Sequence, residues 1–366
     1  MQLSVCFSFH AQNRQGFAGR AAHYLARQVE TRTVAGTGKT VRLRFHRAAQ
    51  VRADQAEGDK TRSTAYQQCR HLREQRARTR RIVRRRPQYE LGRCRRLGLE
   101  AEETQQATQS EQPAVILWPE APSHFMSSDP AFRAAVGQLA VTAKSPVIAG
   151  SLGVDRSNIP QRGYYLYDSA SLFSSAGEYS GRYDKIHLVP WGEYIPFKQF
   201  FSFADKLTEG VGDMDRGSIR NVFSTGGHKY GVFVCYESIF GDEVRQFTLN
   251  NAEVLVNISD DGWYGDTGAP WQHLNMARMR AIENRRWLLR STNTGITTAI
   301  DPLGRIAIEA PRHVRGAYAF SFEFAPTTWK STYTRYGDWF AWLCTVIAVA
   351  TLALCRFVPA RLFALE

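Results

Sequence analysis

The sequence has only six cysteines, and their positions give little support to a disulfide framework or a zinc site. They stand at positions 6, 69, 94, 235, 344 and 355, and no two share the spacing of a paired motif. No Cys-x-x-Cys motif or Cys/His cluster occurs, and the nine histidines are scattered. The sequence therefore predicts no disulfides, no metal and no cofactor.

A secretory leader and a complete phosphate-binding loop are also missing. Residues 1–9 have no positive lead and no apolar core followed by a cleavage site. The stretch GTGKT at 36–40 resembles the end of a phosphate-binding loop, but Thr33 stands where that motif requires its first glycine. We interpret GTGKT as a chance match.

Acidic residues are scarce in the first hundred positions. Residues 1–100 hold 23 Lys+Arg against 7 Asp+Glu, a net charge of +16, whereas the remainder carries −3. Arginine runs such as 76–88 show neither helical nor strand periodicity, and no aromatic residues interleave them as in a nucleic-acid surface. We interpret residues 1–110 as a basic region that is either disordered or mistranslated. The alternative is an arm that binds nucleic acid or anionic lipid, followed by an inert domain.

From about residue 113 the pattern changes to short apolar runs that alternate with helical stretches. Runs typical of strands lie at 114–118, 146–150, 164–173, 231–235, 253–259 and 295–300. The clearest helix is predicted over 270–289, where Pro270 suits a first helical position. Its apolar stripe comprises Leu274, Ala277, Ala281, Leu288 and the methionines. Strands alternating with helices predict an α/β core.

A long apolar run, residues 339–355, closes this pattern near the C-terminus. As a helix it would extend roughly 26 Å, close to the thickness of a hydrocarbon core of about 30 Å. Trp339 and Trp342 suit a membrane interface, and Arg356 and Arg361 follow the far end. We predict a transmembrane helix over 338–356 with a cytoplasmic C-terminus. A buried core helix is the alternative.

Three polar residues stand where functional groups of α/β proteins collect, at or near the ends of strands. Glu120 follows the run AVILWP, Lys185 lies in an aromatic- and proline-rich stretch, and Cys235 ends GVFVC. A carboxylate could take the thiol proton, and an ammonium could stabilise the thiolate and the oxyanion formed when it attacks a carbonyl. The backbone N–H of Tyr236 could be a further oxyanion donor.

Each of the three also has a purely structural interpretation. Cys235 could be a small buried hydrophobe, and Glu120 could start a helix. Lys185 could pair with Asp184 or Glu193 at the surface. Spacing alone does not join the three.

Longer motifs point to a known family. WPEAP at 118–122, YDKIHLVPWGEYIPF at 183–197 and VCYES at 234–238 resemble the three catalytic segments of the nitrilase superfamily. The stretch 257–304 resembles, more narrowly, the bacterial apolipoprotein N-acyltransferases. The likeness runs from about residue 110 through the apolar C-terminal segment. It implies a four-layer αββα sandwich over residues 111–330 plus one C-terminal transmembrane helix.

The resemblance also implies roles for individual residues. Glu120, Lys185 and Cys235 match the catalytic triad of the superfamily, and Glu193, Tyr236 and Glu237 match its supporting residues. An apolar approach for acyl chains could be lined by Trp191, Trp263, Trp271 and Met276, although core packing explains these four about as well.

The implied reaction is a two-step acyl transfer at the periplasmic face of the bacterial inner membrane, carried out by a monomer. A phospholipid would donate the acyl chain to Cys235, and the N-terminal amine of a diacylglyceryl-cysteine lipoprotein would accept it. No nucleic acid takes part.

Two departures from the family are expected to matter. Its members carry several transmembrane helices before the catalytic domain, and none is recognisable here. The opening strand of the sandwich is not recognisable before Glu120 either. The sequence is therefore interpreted as truncated, which leaves an inactive remnant as one alternative. Another is a nitrilase-type amidohydrolase of a small amide, with water in place of the amine.

Overall fold

The computed structural model describes residues 3–9, 87–108, 112–120, 125–156, 163–196, 214–314 and 316–357. Most of the basic region, residues 10–86, lies outside this set, together with GTGKT. The predicted disorder or mistranslation of that region and the predicted domain boundaries remain predictions.

Twelve strands of the described residues form two six-stranded sheets. The first sheet has the order β12-β1-β2-β3-β4-β5, and the second has the order β11-β10-β9-β8-β7-β6. In chain order, the strands of the first sheet are β1 Leu3–Phe9, β2 Val115–Leu117, β3 Val147–Arg156, β4 Tyr164–Phe173, β5 Tyr179–Asp184 and β12 Gly316–Phe322. Those of the second are β6 Val222–Thr225, β7 His228–Val234, β8 Val254–Ser259, β9 Leu288–Thr292, β10 Thr298–Ile300 and β11 Ile306–Glu309.

Alternation along the strands separates the interior into two apolar clusters. In β2, Val115 and Leu117 belong to a cluster shared with residues of the second sheet, including Val232. Ile116 points the other way and packs in a cluster with Phe132 and other helical residues. Successive side chains of a strand face opposite sides, so β2 contacts a sheet on one face and helices on the other.

Helices cover the outer face of each sheet. On the first sheet pack apolar residues of two helices, α1 Pro87–Thr108 and α2 Pro130–Ala143. On the second sheet pack apolar residues of α3 Gly241–Leu249 and α4 Ala269–Asn284. The layers therefore run helix, sheet, sheet, helix. This arrangement confirms the αββα prediction.

The opening strand is present, which corrects the expectation from the sequence. Leu3–Phe9 pairs antiparallel with β12 and parallel with β2, so it lies between them inside the first sheet. The local pattern did not reveal it because both of its partners are distant in sequence.

Helix α4 is shorter than predicted, and its methionines do not join the apolar stripe. It ends at Asn284, and Arg285 caps it with a left-handed backbone at φ 50. Leu288 then begins β9 and does not extend the helix. Met276 and Met279 are each almost half exposed, whereas Leu274 and Ala277 are buried.

The apolar C-terminal segment forms α6, Trp339–Phe357, just after the short helix α5, Thr332–Tyr336. Its window Trp339–Arg356 has a mean hydropathy of 1.8 and is 0% buried within the chain. A core helix would be covered, so the alternative of a buried core helix is wrong for this structure. By length and composition alone, α6 could cross a membrane.

Candidate active site

Three candidate residues converge between the two sheets. Glu120 follows β2, Lys185 follows β5, and Cys235 follows β7. The Nζ atom of fully buried Lys185 lies 3.2 Å from Oε1 of Glu120. The thiol of buried Cys235 is near enough to both groups that each of them acts on its pKa. The structure thus brings together the three residues that spacing alone could not join.

Lys185 also contacts two further carboxylates. Its Nζ donates to Oδ2 of Asp168 at 3.3 Å and to Oε1 of Glu193 at 2.5 Å. Oxygens of Glu120, Asp168 and Glu193 lie within 4.8 Å of one another, a grouping that could hold a metal ion. Here the ammonium of Lys185 bonds to all three and supplies the positive charge of the cluster.

The local charges adjust the acidity of each member. Burial, reinforced by Asp168 and opposed by Lys185, raises the pKa of Glu120 to about 8. Burial and the Glu120 carboxylate raise the pKa of the Cys235 thiol well above its usual range. Burial alone would lower the pKa of Lys185, but Glu120 and its other anionic neighbours outweigh it and hold that pKa well above its usual range. Glu120 can therefore gain or lose a proton near neutral pH, which suits a general base.

Cys235 adopts an uncommon backbone conformation. Its φ is +49, and it starts a short 3-10 helix, Cys235–Ile239, directly after β7. A non-glycine residue in this left-handed region is held there by its surroundings, and such strain clusters at functional sites. The sharp change from strand to helix places the sulfur at the seam between the sheets.

A buried polar network fixes this turn from the side of the second sheet. Nε2 of His273 donates to the carbonyl oxygen of Cys235 at 3.0 Å, and the other ring nitrogen lies 2.8 Å from Oδ1 of Asp261. Arg290 forms an ion pair with Asp261 at 2.9 Å and also donates to Asn257. The amide of Asn257 in turn donates to the carbonyl oxygens of Phe233, at 3.3 Å, and Cys235. Despite burial, Arg290 and His273 hold the pKa of Asp261 well below its usual range.

Glu237 ties the nucleophile turn to the segment that carries Lys185. This fully buried carboxylate accepts hydrogen bonds from the backbone N–H groups of Val234 and Ile186, each at 2.7 Å, and from Tyr183 Oη at 2.8 Å. Even with these donors, burial raises the pKa of Glu237. The supporting position predicted for Glu237 thus joins the two sheets next to the site.

The remaining supporting residues lie on either side of the cluster. The carboxylate of Glu193 accepts hydrogen bonds from Lys185 and from the backbone N–H of Val189, the latter at 3.1 Å. Tyr236 follows Cys235 in the 3-10 helix, and its ring stands edge-on to that of Phe240 at 5.2 Å.

The residues predicted to line an acyl-chain approach are mainly exposed. Trp191 is 53% exposed, Trp271 is 43% exposed and Met276 is 45% exposed. Core packing therefore does not explain these three. Trp263 belongs to the turn Gly262–Tyr264, and its side chain lies outside the described residues.

Sequence reasoning missed several residues of the site. Asp168 lies inside β4, where a carboxylate in an otherwise β-rich apolar run was the available signal. Tyr264 is part exposed, and burial together with the charge of ionised Cys235 raises the pKa of its phenol. Asp261, Arg290 and Asn257 act only through contacts that no local motif reveals.

The sequence matches one family and a set of curated relatives. The family described as Carbon-nitrogen hydrolase matches residues 96–318, more than half of the chain. The apolipoprotein N-acyltransferase of Geobacter metallireducens is 38% identical over 241 residues, which cover 66% of this chain and 45% of the relative. The one of Methylococcus capsulatus is 34% identical over 229 residues, with 62% and 43% covered. The chain thus spans less than half the length of these relatives.

Solved structures show a more distant likeness. A carbon-nitrogen hydrolase from Helicobacter pylori G27 is 17% identical with a TM-score of 0.49, covering 63% of this chain and 84% of that one. Nit3 from Saccharomyces cerevisiae gives the same values.

Proposed function

Because the chain belongs to the carbon-nitrogen hydrolase family, we propose that it transfers a fatty acyl chain through a thioester on Cys235. The observation that carries the proposal is the convergence of the buried Cys235 thiol with the Glu120 carboxyl and the Lys185 ammonium, which lie 3.2 Å apart and both act on the pKa of the thiol. Relatives named apolipoprotein N-acyltransferase support acyl transfer as the reaction class. The acyl donor is a phospholipid, and the acceptor is the N-terminal amine of a diacylglyceryl-cysteine lipoprotein.

In the first step the sulfur of Cys235 attacks the ester carbonyl of the phospholipid while Glu120 takes the thiol proton. Lys185, with the backbone N–H of Tyr236, stabilises the tetrahedral oxyanion. The intermediate collapses as Glu120 returns its proton to the departing lysophospholipid oxygen. A thioester remains on Cys235, and one difficult transfer has been divided into two easier ones.

In the second step the lipoprotein amine attacks the thioester carbonyl. Glu120 accepts a proton from the amine, and the Cys235 thiolate leaves and regains a proton from Glu120. The product is an N-acylated lipoprotein, and the site has returned to its starting state.

Two features favour a lipid over a small soluble amide. The window Trp339–Arg356 of the apolar helix α6 is exposed throughout, as a bilayer-spanning helix would be. Trp191, Trp271 and Met276 present apolar surface that an acyl chain could cover. We place the protein in the bacterial inner membrane, as a monomer with its catalytic domain on the periplasmic side.

The test is to trap the acyl-enzyme. The full chain in detergent is incubated with a phospholipid that carries a labelled acyl chain, and hydroxylamine-labile label is measured on the peptide that contains Cys235. We expect label on the wild type, none on Cys235→Ser, and a loss of about 10²–10⁴-fold in labelling rate for Glu120→Gln.

Cys344→Ser is the matched control, because this thiol lies on exposed α6 and should leave labelling unchanged. Hydroxylamine-labile label that persists in Cys235→Ser would remove Cys235 as the nucleophile. Failure to label from phospholipid, combined with release of ammonia from a small amide, would assign the site to an amidohydrolase.

A further inference from the structure

Asp168 is a buried carboxylate that the proposed reaction leaves unused. It lies in the middle of β4 and is 3% exposed. Its Oδ2 accepts a hydrogen bond from Lys185 Nζ at 3.3 Å, and its backbone oxygen accepts one from the Lys185 N–H at 2.9 Å. Its Oδ1 is also buried but receives no donor among the described residues. A buried oxygen that accepts no hydrogen bond raises the free energy of the folded state, so the lack of a donor needs an explanation.

The charges around this carboxylate do not balance. Lys185 is the cation that contacts the cluster, and it faces the carboxylates of Glu120, Asp168 and Glu193. Glu120 also accepts a hydrogen bond from the backbone N–H of Asp260 at 2.6 Å, and it acts on the pKa values of Asp260, the Cys235 thiol and the Tyr264 phenol. Three ionised carboxylates against one ammonium would leave two uncompensated negative charges in a buried site. Such a cluster retains a proton.

The contact between Glu120 and Asp168 shows where that proton can reside. Carboxylate oxygens of the two side chains lie within 4.8 Å of each other, and Lys185 Nζ contacts both, at 3.2 Å from Glu120 and 3.3 Å from Asp168. Two carboxyl groups can share a hydrogen bond only when one of them carries a proton. A proton held between them supplies a donor to the Asp168 carboxyl, whose Oδ1 receives none from the described residues.

We propose that Asp168 shares a proton with Glu120 and thereby sets the basicity of the group that deprotonates Cys235. This inference rests on the proposed role of Glu120 as general base. The side chain of Asp168 contacts Lys185 and lies near Glu120, and the proposed reaction gives it no atom to attack or protonate, so it is a positioning residue that acts through Glu120. The negative charge of Asp168 raises the pKa of Glu120 and makes its carboxylate a stronger base. The pKa of Glu120 is then closer to the pKa of the thiol that it must deprotonate.

The experiment measures the rate at which iodoacetamide alkylates Cys235 as a function of pH. The sulfur displaces iodide, and Glu120 takes the thiol proton, so no acyl donor is needed. Mass spectrometry of the tryptic peptide Tyr230–Arg245, in which Cys235 is the sole cysteine, reports this site separately from the other thiols. The full chain in detergent is used throughout.

Asp168→Asn keeps the size of the side chain, removes its charge and can donate a hydrogen bond to the Glu120 carboxylate. We expect the acid limb of the pH–rate profile to move to lower pH by about one unit, as removal of a nearby like charge produces. The rate above the limb should fall several-fold, because the base is weaker. Asp168→Glu retains the charge and should keep the limb near its original position.

Asp155→Asn is the matched control, because Asp155 pairs with Arg182 at the surface, outside the cluster. An acid limb that stays in place in Asp168→Asn overturns the inference, even if the acyl-enzyme forms as proposed. Failure of the acyl-enzyme test with a shifted limb would instead reject the lipid substrate and leave the role of Asp168 intact.

A second measurement does not depend on folding of the Asp168 variants. The infrared band of a protonated carboxyl should be present in the wild type at pH 7 and weakened in Glu120→Gln. Absence of any such difference would show that Glu120 carries no proton at this pH and would overturn the inference.

Discussion

Hydrogen bonds to the backbone of Cys235 help to hold its left-handed conformation. Its carbonyl oxygen accepts a hydrogen bond from His273, whose other nitrogen is close to Asp261. Strain at a left-handed residue costs on the order of 1–3 kcal/mol and persists only where the surroundings determine it. His273 therefore helps to hold the sulfur at the position from which it can react.

His273→Ala should consequently affect both stability and reactivity. We expect a loss of about 1–3 kcal/mol in the free energy of unfolding, because the change leaves a buried carbonyl and Asp261 short of a donor. Alkylation of Cys235 should also slow by about ten-fold, since a small misplacement of a reacting group is costly. Denaturant unfolding and the iodoacetamide assay measure the two effects.

Gln272→Ala is the control for His273, because it changes the adjacent, exposed residue of the same helix. Equal alkylation rates in the wild type and in His273→Ala would show that the turn keeps its geometry without this hydrogen bond.

The residues that sequence reasoning found differ in kind from those it missed. Glu120 and Cys235 were recognisable because each follows an apolar strand, and Lys185 because its motif is long. Asp168 was missed because a polar residue inside a strand is ordinary, and nothing local shows that it faces Lys185. No local signal distinguished His273 from the other histidines, since its partners Asp261 and Cys235 come from other parts of the fold.

At the scale of the elements, strands were predictable where turn residues flank both of their ends. The run 164–173 was predicted with the bounds of β4, and the strand ends that carry Glu120 and Cys235 fell within a few residues of the prediction. Helix α4 was predicted too long because Arg285, and not glycine, takes the left-handed position that ends it. Arginine gives no stop signal in a sequence.

Helix α6 offers a prediction of its own. Val349→Arg places a charge near the middle of this helix, at a side chain that is 60% exposed. Membrane insertion should become less favourable by about 2.5–3.5 kcal/mol, the cost of arginine at a helix centre. The catalytic domain should keep its fold, because the protein buries no part of the window Trp339–Arg356.

Flotation with liposomes and the alkylation rate of Cys235 measure the two parts of this prediction. Arg356→Lys is the control, since it keeps a positive charge at the end of the helix. Undiminished liposome binding by Val349→Arg would mean that α6 does not enter the bilayer.

At the scale of the whole molecule, the buried carboxylates make stability depend on pH. Burial raises the pKa of Glu120 to about 8, and it also raises the pKa values of Asp168, Glu193 and Glu237. A carboxyl with a raised pKa in the folded state stabilises the fold below its unfolded pKa and loses that contribution as pH rises through its folded pKa. The pKa of Asp261 is lowered instead, and its contribution to the free energy of unfolding is lost only in strong acid.

We therefore expect the free energy of unfolding to decrease between pH 5 and pH 8. The slope from Glu120 alone is up to about 1.4 kcal/mol per pH unit, because the folded state holds one proton that the unfolded state has released. Glu120→Gln should reduce this slope. Denaturant midpoints at several pH values in detergent measure it, and stability that is constant or rises over this interval would contradict the assignment.

The opening strand was unpredictable for a reason that concerns the molecule as a whole. Nothing within residues 3–9 indicates their partners, because β1 pairs with β2 more than a hundred positions away and with β12 more than three hundred positions away. The role of residues 3–9 as a strand is visible only in the assembled sheet.

This pairing constrains the order of events during synthesis. Residues 3–9 leave the ribosome long before residues 316–322, and one edge of β1 lacks its partner until those residues have also emerged. Until then, the nascent chain carries an open strand edge prone to misassociation. Closure of the first sheet thus comes only shortly before α6 leaves the ribosome, so completion of the catalytic domain and delivery of its apolar helix to the membrane fall close together in time.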